Sequence, residues 1–308
     1  MDSNQRRMRC FSSPAYFAVL PAGHPFPMRK FPDSAERIRT DGIAEVVDPG
    51  TIDDADLLRV HTPAYVESIR TGRYNELTAL RLGLPWHPTI NTRSRAATAG
   101  TLAATRAALK DGIAANLAGG THHAFADRGE GYCVFNDVAV AVRRLWCDEP
   151  WLHVMVIDLD AHQGNGTAAL FAGDARAFTY SLHVGRNYPS RKEISSLDVE
   201  VSRYAGAEEY FDKLESTLPG AIERFEPDLV FYNAGVDVHE DDRFGQMKLT
   251  TVEMKRRDLF AIHAARRWEV PTVVVYGGGY NRTDGMTANL HVQTVKAASV
   301  FHQISGTS

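Results

Sequence analysis

The chain is short of cysteine, long apolar runs and net charge, and each shortage argues against a class of protein. Among 308 residues there are only three cysteines, Cys10, Cys133 and Cys147, and no CxxC pair. That argues against a disulfide scaffold and fits a reducing compartment. No uninterrupted apolar stretch approaches the roughly 20 residues that span a bilayer. The opening MDSNQRRMRC is not followed by a stretch apolar enough for a signal peptide. Lys and Arg number 34 against 38 Asp and Glu, a formal net charge of -4. Such a balance offers no electrostatic grip on nucleic acid or an anionic membrane. The pairs Arg6-Arg7 and Arg266-Arg267 read as solvated surface. Together these shortages predict a cytoplasmic protein with neither nucleic acid nor membrane as partner.

What is present points to an α/β protein. At 44% hydrophobic residues the chain can bury a large core, as one large α/β domain or two ordinary ones. Repeats and low-complexity linkers are missing. From about residue 93 helix-like and strand-like segments alternate. Strands are expected at Ile113–Ala118, Trp151–Ile157, Ala177–Leu182, Leu229–Asn233 and Pro271–Tyr276. Helices are expected at Ser94–Leu109, at Ala207–Phe225 with an interruption near Pro219, from the Thr250-x-x-Glu253 capping box toward Arg267, and at Asp284–Phe301. Alternation of this kind implies a parallel sheet with helices on both faces. The first ninety residues are less regular. Thr62-Pro63 looks like a helix start, and Leu20–Asp33, rich in proline and glycine, reads as a loop.

Five segments carry ligand-type or acid–base residues beside glycine. In VMVIDLDAHQGNGT an apolar run ends in Asp158, Asp160 and His162 at alternate positions. Side chains two apart in an extended chain point the same way. Two carboxylates and an imidazole at the end of a buried strand are costly without a cation, and Asp160 with His162 offers the oxygen and nitrogen that suit zinc. Asp158, one pleat deeper, is better placed to orient a histidine. In NAGVDVHEDD, Asp237 follows a strand closely enough to reach the same edge, completing an Asp2His set with a fourth position open to water. His239, Glu240, Asp241 and Asp242 read as loop surface. GGTHHA offers the adjacent imidazoles of His122 and His123, either an acid–base pair or two ordinary histidines. GGGYN presents Tyr280, whose phenol could donate to an oxyanion. GYCVFND supplies Tyr132 and Phe135, one as channel wall and the other as core. Cys133 reads as an inert buried thiol.

In this order the five segments resemble the histone deacetylase superfamily, with its acetylpolyamine amidohydrolases and acetoin-utilisation proteins. The match runs from Ile113 to Asn281, and GHPFPMRKF and LLRVHTPAYVESI look most like the class IV branch. The resemblance implies a single arginase-like three-layer domain over residues 1–308. It implies zinc on Asp160, His162 and Asp237, and His122 and His123 as the acid–base pair. Asp158 would orient His122, Asn165 would accept from His123, and Tyr280 would be the catalytic tyrosine. A monovalent cation such as potassium would sit on Asp158, Ser181, Leu182 and the carbonyls of Asp160 and His162. Gly131, Tyr132, Tyr188 and Gly278 would bind substrate. Gln163 replaces a histidine common in relatives, a change expected to be tolerated. The implied reaction is removal of an acetyl or longer acyl group from acyl-lysine, with acetylpolyamine or another small acyl-amine as the alternative; an oligomer is not predicted. Two rivals remain. An arginase-like two-metal hydrolase would need further bridging aspartates, but Gly164 and Val238 stand where they would fall. A non-catalytic acyl-lysine binder would be expected to lack a ligand or the tyrosine.

Overall fold

The computed structural model describes residues 7–305. Arg6 of the first basic pair therefore lies outside the described residues. Among the described residues eight strands form one sheet: β1 (Arg9–Phe11), β2 (Glu45–Val47), β3 (Ile113–Asn116), β4 (Val154–Asp158), β5 (Ala177–Val184), β6 (Leu197–Val201), β7 (Leu229–Asn233) and β8 (Thr272–Val275). Their order is β2-β1-β3-β8-β7-β4-β5-β6, and every pairing is parallel. The four central strands β3, β8, β7 and β4 are buried along their whole length. That is why they read as continuous apolar runs rather than as alternation.

Among the described residues ten α-helices cover the sheet: α1 (Lys30–Thr40), α2 (Asp54–Leu57), α3 (Pro63–Thr71), α4 (Glu76–Leu82), α5 (Pro88–Asp111), α6 (Asp137–Asp148), α7 (Asn165–Phe171), α8 (Ala207–Phe225), α9 (Thr251–Arg266) and α10 (Met286–Ser305). One series packs α5 on α6 and α6 on α7; the other packs α1 on α10, α10 on α9 and α9 on α8. Both α5 and α10 touch β3, so the sheet is the middle of three layers. Among the described residues no helix is long and apolar enough to cross a membrane.

Helix ends follow local chemistry. Thr250 and Glu253 close the expected capping box of α9. Thr62 accepts from the Tyr65 N–H ahead of Pro63, and Gly72 ends α3 at φ 72°. Several expectations need correction. The expected loop Leu20–Asp33 gives way to α1 at Lys30. Pro32 is tolerated because first-turn N–H groups have no intrahelical partner to lose. Helix α8 runs through Pro219 unbroken. The carbonyl that Pro219 cannot reach belongs to exposed Glu215, on the solvent side of the helix, while Phe211, Leu214, Leu218 and Ile222 stay buried. Trp151 is 66% exposed and outside β4. Arg266 is only partly exposed and donates to the carbonyls of Glu269 and Val270, so it is not simply solvated.

Candidate active site

Four of the five chemistry-bearing segments leave the carboxyl ends of adjacent strands, and the fifth, GYCVFND, lies between β3 and α6. GGTHHA follows β3, GGGYN follows β8, the Asp237 loop follows β7, and Asp158–His162 ends β4. In open α/β sheets this edge is where side chains from separate strands converge.

The loop after β3 is folded by two glycines and a buried carboxylate. Gly119 and Gly120 have φ of 79° and 71°, a region that non-glycine residues avoid. A Cβ on Gly120 would strike the Asn233 side chain and the Gly277 backbone. Asp137, at the first turn of α6, accepts from the N–H groups of Gly120 at 3.1 Å and Thr121 at 2.8 Å. The positive end of the helix favours that charge. The turn sets His122 and His123 side by side, ring centroids 4.1 Å apart.

The two imidazoles meet different acceptors. His122 Nδ1 pairs with Asp158 Oδ2 at 2.7 Å, and His123 Nδ1 with Asn165 Oδ1 at 2.7 Å. Burial pulls His122 down, but Asp158 and Asp160 outweigh it and hold the imidazolium up at about 9. Burial also dominates at His123, joined by repulsion from His122 and His162, and the Asn165 hydrogen bond and the charge of Asp160 counter it too weakly to prevail. Its pKa falls well below the ordinary value. The other Asp158 oxygen receives Asn233 Nδ2 at 2.9 Å and the Asp160 N–H at 3.2 Å.

Two residues beyond Asp158, Asp160 converges with His162 and Asp237. Their nearest ligand atoms all lie within 4.8 Å of one another, and all three residues are buried. His162 Nδ1 lies 3.0 Å from Asp160 Oδ1 and 2.9 Å from Asp237 Oδ2. Separations near 3 Å suit ligands about 2.0–2.1 Å from one shared ion. Asp237 also accepts the Ala161 N–H at 2.9 Å, and Asp160 accepts the Gly278 N–H at 2.7 Å. Burial and the charge of Asp160 push Asp237 up to about 7. Two buried carboxylates against one imidazole are short of positive charge, and a divalent cation would supply it.

Tyr280 is 9% exposed and lines the same cavity, a space of about 370 Å³. Its backbone is pinned by Asp242, whose Oδ2 accepts the Tyr280 N–H at 2.6 Å. Tyr132 lies 5.7 Å from Tyr280, and Tyr188 stands edge-on to His123 at 4.9 Å, ring centroid to centroid. Gly131 and Gly278 also line the cavity. Phe135 is instead core, packed on His61 and Tyr65. Cys133 lines the cavity, but burial pushes its thiol far up. Ser181 faces Asp158 across the β4–β5 register, its hydroxyl paired with His183 Nδ1 at 2.9 Å, and Leu182 follows it on β5.

Other residues at this edge were misread or missed. His239 and Asp242, expected at the surface, are 4% and 5% exposed. Asp242 Oδ1 accepts from the N–H groups of Phe244 and Gly245, so the carboxylate is the pivot of its own turn. Gln163 is buried, binding the Glu193 backbone and Asp198 and so holding the segment that follows Tyr188. Asp137, the first residue of α6, had no signal that set it apart within GYCVFND. Lys30 and Arg93, both cavity-lining, sat in segments read only as loop and helix edge.

Fold and site thus define an α/β protein with a buried Asp-His-Asp centre beside paired histidines and a tyrosine. A family model, the histone deacetylase domain, matches residues 24–295, and the chain belongs to that family. An uncharacterized protein of Picosynechococcus is 37% identical over 270 residues, covering 87% of this chain and 90% of that one. Histone deacetylase 2 of Arabidopsis thaliana is 31% identical over 273 residues, covering 84% and 70%. Acetoin utilization protein AcuC of Staphylococcus aureus is 28% identical over 260 residues, covering 77% and 67%. The crystal structure of the HDA15 HD domain superposes with a TM-score of 0.77 at 20% identity, covering 98% of this chain and 93% of that one, a likeness of fold. Family membership supports a hydrolase that acts on amides.

Proposed function

We propose that the chain is a zinc-dependent deacylase that hydrolyses the side-chain amide of acyl-lysine. The observation that carries this reading is the convergence of Asp160, His162 and Asp237 at one cavity with His122, His123 and Tyr280. A zinc ion held by those three ligands would polarise the amide carbonyl and acidify a water.

The remaining work falls to the chain's own groups. His123, neutral and without a carboxylate partner, takes the water's proton. His122, kept cationic by Asp158, stabilises the negative charge that develops on the acyl oxygen. The Tyr280 hydroxyl donates to the same oxygen, a role worth about 3 kcal/mol. One of the two imidazoles then protonates the departing amine. Tyr132 and Tyr188 wall the entry, and aromatic faces suit the methylenes of a lysine side chain. We place a monovalent cation beside Asp158, Ser181 and Leu182, a reading supported by the adjacency of Asp158 and Ser181 in the sheet.

The test is release of acetate from an acetyl-lysine peptide by protein carrying one zinc per chain. Loss of turnover on chelation and its return with zinc are expected. Turnover that survives complete removal of metal would sink the reading.

A further inference from the structure

Two buried cations stand in the cavity wall, and among the described residues neither has a carboxylate within ion-pair distance, although Asp160, Asp237 and Asp242 lie near enough to Lys30 to favour its charge. Lys30 and Arg93 are 3% and 4% exposed, and both line the cavity that holds His122, His123 and Tyr280. Lys30 Nζ donates to the Gly277 carbonyl at 3.1 Å. The Arg93 Nε is buried without any hydrogen-bond partner. Neither side chain forms an ion pair with a carboxylate among the described residues, in contrast to buried Arg257, which is paired with Asp258 at 2.7 Å.

The two cations contact the same two aromatic rings. The Arg93 guanidinium is 4.8 Å from the Phe31 ring centroid and 5.4 Å from that of Phe26. Lys30 Nζ is 5.3 Å and 5.5 Å from the same two centroids, and 5.7 Å from that of Tyr280. The carbonyl that holds Lys30 belongs to the residue just before Gly278, whose N–H holds Asp160. The pair therefore borders the reacting centre. It is also set back from the mouth, where Leu80 and Tyr188 are 79% and 40% exposed. Two like charges in an apolar wall are costly unless an anion joins them. A guanidinium fork beside an ammonium is chemistry suited to a carboxylate.

We propose that Lys30 and Arg93 form a carboxylate subsite at the floor of the cavity. The enzyme removes from lysine those acyl groups that end in a carboxylate, succinyl and glutaryl, in preference to uncharged acyl groups of the same shape. This inference rests on the deacylase reading and names its acyl group. In the reaction, water oxygen bonds to the acyl carbon and the C–N bond breaks with its electron pair on nitrogen. The amine takes up a proton, and lysine and a dicarboxylate leave. An acetyl group offers the two cations nothing beyond its methyl.

The test compares kcat/KM of the zinc-loaded full chain on one peptide bearing acetyl-, succinyl-, glutaryl- or 4-methylpentanoyl-lysine. The last is an uncharged isostere of succinyl. Succinyl over isostere is expected to be preferred by about tenfold or more, the worth of one charge-assisted hydrogen bond. That ratio should collapse in Arg93→Met and in Lys30→Met, whatever their absolute rates. Free succinate should compete with substrate better than free acetate, a readout that needs no variant. Turnover of the acetyl peptide with no preference for succinyl overturns the subsite and leaves the deacylase reading standing. Equal competition by acetate and succinate would mean that the cations serve any carboxylate product, and it overturns the substrate assignment. No turnover of any peptide brings down the deacylase reading, and the inference with it.

Discussion

The carboxylate of Asp242 holds the backbone of Tyr280, accepting its N–H at 2.6 Å, while its other oxygen accepts from Phe244 at 2.8 Å and Gly245 at 3.0 Å. Asp242 thus ties the loop after β7 to the loop after β8. We expect Asp242→Asn, which must turn an amide N–H toward one of these donors, to displace the tyrosine. A misplacement of about 1 Å costs roughly 100-fold in rate, so kcat should fall by about 10- to 100-fold with little change in KM. In a Tyr280→Phe background the second substitution should cost almost nothing. A double variant much slower than Tyr280→Phe alone would show that Asp242 acts elsewhere.

Much of this edge was legible from the sequence because one strand end brings its own residues together. Asp158, Asp160 and His162 alternate on a chain that must be extended, and His122 and His123 follow two glycines that must turn. The contacts that stayed hidden join distant segments. Nothing near Asp242 announces that its partner is Tyr280, 38 positions on. Lys30 meets Gly277 across 247 positions. Strands β1 and β2 have three residues each, too few for a period to register. Strand β6, with Asp198 and Glu200 at its exposed positions, looks like surface because half of it is. Pro219 suggested a break because proline lacks a donor; the burial that outweighs that loss is tertiary.

Arg257 should matter for stability, beneath the strand ends that carry the site. Its guanidinium is fully buried, donates to the Gly235 carbonyl at 2.6 Å, and pairs with Asp258, which also accepts from Tyr232 and Thr294. Removing one partner of a buried pair leaves an uncompensated charge, so Arg257→Met should lower unfolding free energy by about 3–5 kcal/mol. The double variant Arg257→Met/Asp258→Leu should recover part of that loss. Denaturant melts decide it, and an Arg257→Met protein within about 1 kcal/mol of wild type would contradict the argument.

Metal binding should appear in stability as well as in turnover. A ligand that binds only the folded state stabilises it by about 2.7 kcal/mol at 100 times its Kd. Zinc-loaded wild type should therefore unfold at a higher temperature than chelated protein. Asp237→Ala should show no such difference, retain little zinc and lose activity. The bare variant need not be less stable than bare wild type, because Asp237 is a buried carboxyl pushed up to about 7 by burial and by Asp160. An Asp237→Ala protein that binds zinc as tightly as wild type would remove this residue from the ligand set.

Asn165 sets the basicity of His123, and the sign of its effect can be read from the charges. An imidazole can take a proton only when neutral, so with His123 as the proposed base, activity should be lost as pH falls through its pKa. Burial first, then His122 and His162, hold that pKa well below the ordinary histidine value, and the neutral Asn165 oxygen at 2.7 Å offsets them only weakly. The acid limb of kcat/KM should accordingly lie at low pH in the wild type. Asn165→Asp puts a full negative charge at the same place, which favours the imidazolium and raises the pKa. The acid limb should then move to higher pH, with the loss of rate confined to the acid side. A limb that stays in place in folded, zinc-loaded Asn165→Asp would take the general-base role away from His123.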